Sequence, residues 1–105
     1  MMFIENGKKY DTATATCVAD WSNDLPVTEF GFASEQLYCT ARGAYFLVGE
    51  GGAASSWGKR SGNSSTLVPG SGAYAMKSRE ALNWLVAQGF HENAASEFDS
   101  LLECA

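Results

Sequence analysis

The sequence predicts an α+β fold: an antiparallel sheet of about four or five strands, spanning roughly residues 2–68, packed by C-terminal helices over roughly 78–103. Three observations predict it. Two-residue alternation broken by turn signals runs through the first two-thirds of the chain. Arg42-Gly43 joins two alternating apolar runs as a tight hairpin, with glycine supplying positive φ. After Ser78 the apolar spacing becomes helical. A chain of 105 residues fits one domain. It can bury roughly two-thirds of its unfolded surface, enough for one core.

The elements follow in order. Asn6-Gly7 is a strong hairpin signal after a short apolar piece, Met2 to Ile4. Residues 10–21 then alternate as one strand. Ala13, Ala15, Cys17, Ala19 and Trp21 share one face; Thr12, Thr14, Thr16 and Val18 share the other. The small residues would let a helix approach closely, and a helix over this stretch is the alternative. Residues 22–26 read as a loop. Residues 28–32 read as a short strand with Phe30 and Phe32 on one side. The clearest strands are 36–41 and 44–49. Leu37, Cys39, Phe46 and Val48 are expected in the core, and Tyr38, Tyr45 and Leu47 on the opposite parity, with Tyr38 and Tyr45 as cross-strand partners. Residues 50–65 form a Gly/Ser-rich loop around Trp57, Lys59 and Arg60. Such length suggests function or mobility. Residues 66–68 can return a short edge strand, and 69–72 read as a turn.

The first helix has Ser78 as its expected N-cap and Glu80 in its first turn, where a carboxylate suits the helix dipole. Gly89 is its expected stop. A second helix is expected over 92–103, with Ala94, Ala95, Phe98, Leu101 and Leu102 on one face.

Charge is segregated. The net charge is −5, so general attraction to nucleic acid or an anionic membrane is not expected. Asp11, Asp20, Asp24, Glu29 and Glu35 precede Arg42 without an intervening base. A basic middle holds Arg42, Lys59, Arg60, Lys77 and Arg79 against one acid, Glu50. Glu80, Glu92, Glu97, Asp99 and Glu103 then close the chain without a base. Cys17, Cys39 and Cys104 are odd in number and form no C-x-x-C pair. With no signal-like start, this suggests reduced thiols and a cytoplasmic setting.

Catalytic signatures are weak. His91 stands alone between the helices and reads as a linker or cap residue; scattered cysteines do not suggest zinc. No nucleophile elbow accompanies a possible Ser-His-Asp set. Gly49-Glu50-Gly51-Gly52 lacks P-loop spacing and reads as a structural turn. No cofactor is implied. Trp57 beside Lys59 and Arg60 either folds back onto the sheet or stands out as a protein-interface anchor.

The string Glu35-Gln36-Leu37-Tyr38-Cys39-Thr40-Ala41-Arg42-Gly43-Ala44-Tyr45-Phe46-Leu47-Val48-Gly49-Glu50-Gly51-Gly52-Ala53 resembles the centre of a family of small phage and mobile-element proteins that includes anti-CRISPR proteins. Lys9-Tyr10-Asp11-Thr12 with Ala15, and Pro69 followed by Glu80-Ala81 and Trp84, extend the resemblance. Relatives carry basic residues where this chain has Cys39 and Ala41. The resemblance implies an inhibitor that binds a Cas protein or CRISPR effector complex in a bacterial cytoplasm by contact, without turnover; a monomer is expected over a dimer, which an exposed Trp57 would leave open. Acidic residues could enter a basic nucleic-acid channel. The expected contacts are Asp11, Asp20, Asp24, Glu29, Glu50, Trp57, Glu92, Glu97, Asp99 and Glu103, with the two acidic blocks on one face. The alternatives are an antitoxin or antirestriction DNA mimic, and a small enzyme using the Glu50 loop with Ser55, Ser56, Lys59 or Arg60.

Overall fold

The computed structural model describes residues 1–62 and 66–104; residues 63–65 of the expected long loop lie outside them. The chain opens on a hairpin of β1 (Met2–Glu5) and β2 (Lys8–Asp11). Its turn has φ of 52° at Asn6 and 74° at Gly7. This pair of left-handed residues matches the twist of a two-residue hairpin. Residues 12–15 then turn, so 10–21 is not one strand. The Asp11 carboxylate accepts the Ala13 N–H at 2.9 Å, and its carbonyl accepts the Ala15 N–H at 3.1 Å. That local closure diverts the backbone from a ladder.

Next come β3 (Thr16–Ser22), β4 (Ala33–Cys39) and β5 (Tyr45–Gly51), then a short ladder of β6 (Lys59–Arg60) with β7 (Leu67–Val68), and finally β8 (Gly70–Met76). The main sheet is antiparallel with order β3-β4-β5-β8. Helices α1 (Ser78–Ala87) and α2 (His91–Glu97) and a 3₁₀ turn (Asp99–Leu101) complete the chain. The fold is therefore α+β, a four-stranded antiparallel sheet with C-terminal helices. Gly70–Met76 is a strand whose first half was expected to be a turn, because Gly, Ser and Ala give little strand signal.

Pairing across the β4–β5 hairpin corrects the expected core. Leu37 faces Leu47 and Cys39 faces Tyr45, whereas Tyr38 faces Phe46 and Gln36 faces Val48. Leu37, Tyr45 and Leu47 thus share the helix side, and Phe46 and Val48 lie on the other. Parity within each strand is legible in sequence; parity between them depends on how the connection 40–44 closes. Tyr38 and Tyr45 are consequently not partners.

On the helix side, Ala19, Leu37, Leu47, Ala81, Leu82, Leu85 and Ala94 form one buried cluster with Tyr45, Trp84 and Phe98. Ala19 leaves room for the helices, as its size suggests. A bulge between Cys17 and Ala19 puts Cys17 out in solvent. On the other side, Phe3 and Tyr10 stack at 5.0 Å. Both meet the edge of Phe46, at 5.7 and 5.6 Å, and Tyr38 stacks on Phe46 at 5.2 Å. The hairpin covers Phe46 completely. Such rings supply much of a small domain's burial.

The α1 cap falls on Lys77, one residue before Ser78. The Lys77 N–H donates to the Glu80 carboxylate at 2.8 Å. At the far end Gly89 adopts φ 84°. Its N–H bonds Val86 at 3.1 Å, while Phe90 N–H bonds Leu85 at 2.8 Å. These two bonds are a Schellman closure. Helix α2 is shorter than expected. Phe98 leaves helical geometry (φ −126°, ψ 31°) and packs its ring on Tyr45 at 5.0 Å. Leu101 and Leu102, expected on a buried face, are exposed, as is Ala95. Both sheet edges receive side chains. Glu5 accepts the Ala75 N–H of β8 at 3.3 Å, and the Asn93 amide donates to the Val18 carbonyl of β3 at 2.9 Å.

Candidate protein-interaction surface

The sheet end formed by the finish of β5 and the start of β4 and β8 carries two loops. The first, 52–58, folds back onto the helix side. Trp57 lies over Gly49, where a Cβ would collide with the indole, and over Gly72, where one would sit 3.3 Å from the ring. The Trp57 indole N–H donates to one oxygen of Glu35 at 2.8 Å, and Trp84 donates to the other at 2.7 Å. Tyr74 stacks on Trp57 at 6.1 Å. The Ser55 hydroxyl donates to the Gly52 carbonyl at 2.8 Å and accepts the Trp57 N–H at 3.2 Å. Of the two expectations for Trp57, the fold-back is the one realised, and the indole is not an exposed anchor. Gly49 and Gly51 lie in β5, so the Gly-Glu-Gly-Gly string is a strand end rather than a turn.

The second loop runs over 23–32, where residues 28–32 form turns instead of the expected strand. Asn23 organises it. Its side-chain oxygen accepts the N–H groups of Leu25 at 3.3 Å and Ala33 at 3.2 Å, and its amide donates to the Gly31 carbonyl at 2.7 Å. Glu29 N–H bonds Pro26 at 2.9 Å, and Phe32 N–H bonds Glu29 at 3.1 Å. The first loop holds it from behind: Ala54 N–H donates to Phe30 and Gly52 N–H to Phe32, both at 2.8 Å. A side chain at Gly52 would strike the Phe30 carbonyl. Phe32 is buried, but Val27 is 73% and Phe30 74% exposed, with Leu25 at 45%. Phe30 and Phe32 therefore do not act together.

Beside this tip a groove of about 340 Å³ runs along Val27, Phe32, Glu50, Pro69 and Ser71. A second, of about 490 Å³, adjoins it at Glu50 and Ser71 and extends over Ser34, Gln36 and Val48. Met1 also lines the second groove, and neither lining contains a lysine or arginine.

The fold sorts the expected contact residues. Asp24 and Glu29 sit on the exposed loop, and Glu50 lies in the groove. Asp20 pairs with Gln36 and shares its side of the sheet. Asp11 is engaged in its own turn at the other end of the sheet. Glu92, Glu97 and Asp99 follow the helical layer, across the sheet from Asp20 and Glu50, so the two acidic blocks do not merge into one face; Glu103 lies in the tail beyond the 3₁₀ turn. The Tyr45 hydroxyl donates to Glu97 at 2.8 Å. Burial, and then this carboxylate, push the Tyr45 phenol well above its ordinary range.

Val27 and Phe30 escaped the sequence reading as contacts, and Glu35 as the acceptor that holds the first loop. The turn signals of Asn23-Asp24 and Pro26 could have marked the loop. Nothing local marks Glu35, whose two partners are 22 and 49 residues away. No family model, curated protein or solved structure matches the chain.

Proposed function

We propose that the chain is a phage-derived anti-CRISPR inhibitor that binds a Cas effector protein or complex and blocks nucleic-acid engagement by steric and electrostatic occlusion. The observation that carries this reading is the pinned loop 23–32, which holds Val27 and Phe30 in solvent beside Asp24, Glu29 and Glu50. An exposed aromatic on a pre-ordered backbone loses little entropy on binding. The acids around it complement a basic channel of the kind that holds a guide–target duplex. The resemblance of residues 35–53 to the anti-CRISPR-containing family points the same way. The mode is occupation of a site, without turnover or cofactor.

The test is stoichiometric capture of purified Cas effectors of several types, paired with phage plaquing on CRISPR-active hosts. The expected result is a salt-sensitive complex with one effector type and restored plaquing in those hosts. Failure to bind or protect against every type removes the reading. Capture of a toxin or a restriction subunit instead would assign the same surface to that partner.

A further inference from the structure

At the opposite end of the sheet the turns of the two hairpins meet at a cleft of about 560 Å³. Lys8 and Lys9 of β2 line it, with Arg42 of the β4–β5 turn and the hydroxyl-bearing Thr14 and Thr40. Three of the chain's seven bases border it, and no carboxylate of the described residues lines it. The turn that presents Arg42 is built: Gly43 takes φ 83°, its N–H bonds the Thr40 carbonyl at 2.9 Å, and the Thr40 side-chain oxygen accepts the Ala44 N–H at 3.0 Å. The Thr40 oxygen is thereby fixed in the turn. Lys8 shares the strand parity of Tyr10, whose ring is buried against Phe3 and Phe46. No aromatic face in the lining is open for stacking a base.

We propose that this cleft is a phosphate-binding site. The Arg42 guanidinium fork, the Lys8 ammonium on the cleft-facing parity of Tyr10, and a hydroxyl donor suit the oxygens of a phosphate, with Lys9 on the outer face of β2 adding to the field. The sequence reading, based on a net charge of −5, expected no nucleic-acid contact. Net charge averages over a molecule 48 Å long, whereas screening confines each charge to about 8 Å at physiological ionic strength. The nearby Glu5 and Asp11 carboxylates accept the backbone N–H groups of Ala75 and Ala13, and the three bases bordering the cleft outnumber them, so the local field is positive. The site lies at the other end of the sheet from Phe30 and uses none of the residues assigned to the inhibitory surface.

The experiment uses the isolated full chain and needs no effector. Backbone amide shifts are followed during titration with inorganic phosphate and, separately, with a short single-stranded RNA of mixed sequence. Shifts centred on Gly7, Thr40 and Arg42 are expected. With two contacts to a strand, from Lys8 and Arg42, affinity should weaken about sevenfold between 50 and 200 mM salt, following a log–log slope of about −1.4. RNA binding at least tenfold tighter than phosphate identifies a strand backbone as the source; equal affinity identifies a lone phosphate group. The exposed triple variant K8E/K9E/R42E should lose binding while its melting temperature stays within a few degrees of the parent. Absence of cleft shifts with both probes, or a folded triple variant that binds like the parent, overturns the proposal.

Discussion

Two loops share one end of the sheet and use their aromatic residues in opposite ways. In 52–58 the indole of Trp57 turns inward, lies on glycine and gives its N–H to Glu35. In 23–32 the ring of Phe30 turns outward from a backbone held by the Asn23 side chain, by its own turns and by the neighbouring loop. The first loop is the buttress of the second, through the bonds of Gly52 and Ala54. The aromatic that stands out most in the sequence is thus structural, and the one that passed as part of a strand is available for binding.

Glu35→Ala tests this division most severely. It strips the acceptor from two indole donors, and unmade hydrogen bonds of this kind cost about 1–3 kcal/mol each. Urea unfolding should show a loss of about 3 kcal/mol. Glu35→Gln retains one acceptor oxygen and should lose less. Equal losses for the two variants would mean that the paired indoles do not hold the loop.

Phe30→Ala should do the reverse. Its melting temperature should match the parent, while affinity for the captured effector falls about thirtyfold, the effect of removing a contact worth about 2 kcal/mol. A melting shift as large as that of Glu35→Ala would erase the distinction between the loops. Reversing Asp24, Glu29 and Glu50 together to lysine is a smaller perturbation. Association should slow about tenfold at low salt and converge on the parent rate at high salt, because rim charges act on encounter. A salt-independent difference would remove steering from the account.

The smallest effect belongs away from both loops. Tyr45→Phe deletes the bond to Glu97 and should cost about 1 kcal/mol at neutral pH. The Tyr45 phenol is raised above its model-compound value of 10.0. Its contribution is fully present below pH 10. Above that pH the unfolded chain ionises first, so stability falls as pH rises. Tyr38 and Tyr74 are also raised, chiefly by burial. Tyr45→Phe should therefore flatten the alkaline loss measured by unfolding at pH 9 to 11, without abolishing it.

Much of the fold is visible in residue order because it depends on local chemistry. Asn6-Gly7, Arg42-Gly43, Glu80 and Gly89 each act over a few residues, and each marks a turn or helix end that is present, with the α1 cap one residue early and the β4–β5 connection longer than two residues. What is hidden depends on distant partners. The faces of β4 and β5 are set by register, β8 is glycine-rich because Trp57 needs its surface, and α2 stops where Phe98 meets Tyr45. The acidic residues of the candidate surface were legible as charges. Their division between two layers was not, because it follows from the topology. Val27 and Phe30 were hidden by their resemblance to a short strand, whose pairing Asn23 pre-empts.

The side chains at the two sheet edges have a consequence for assembly. Glu5 occupies an outward N–H of β8, and Asn93 occupies an outward carbonyl of β3. An incoming strand would have to displace a side-chain bond at either edge before adding to the ladder. Each bond takes one edge position that a strand from a second copy would otherwise use, so edge-to-edge pairing at that position carries the cost of breaking it.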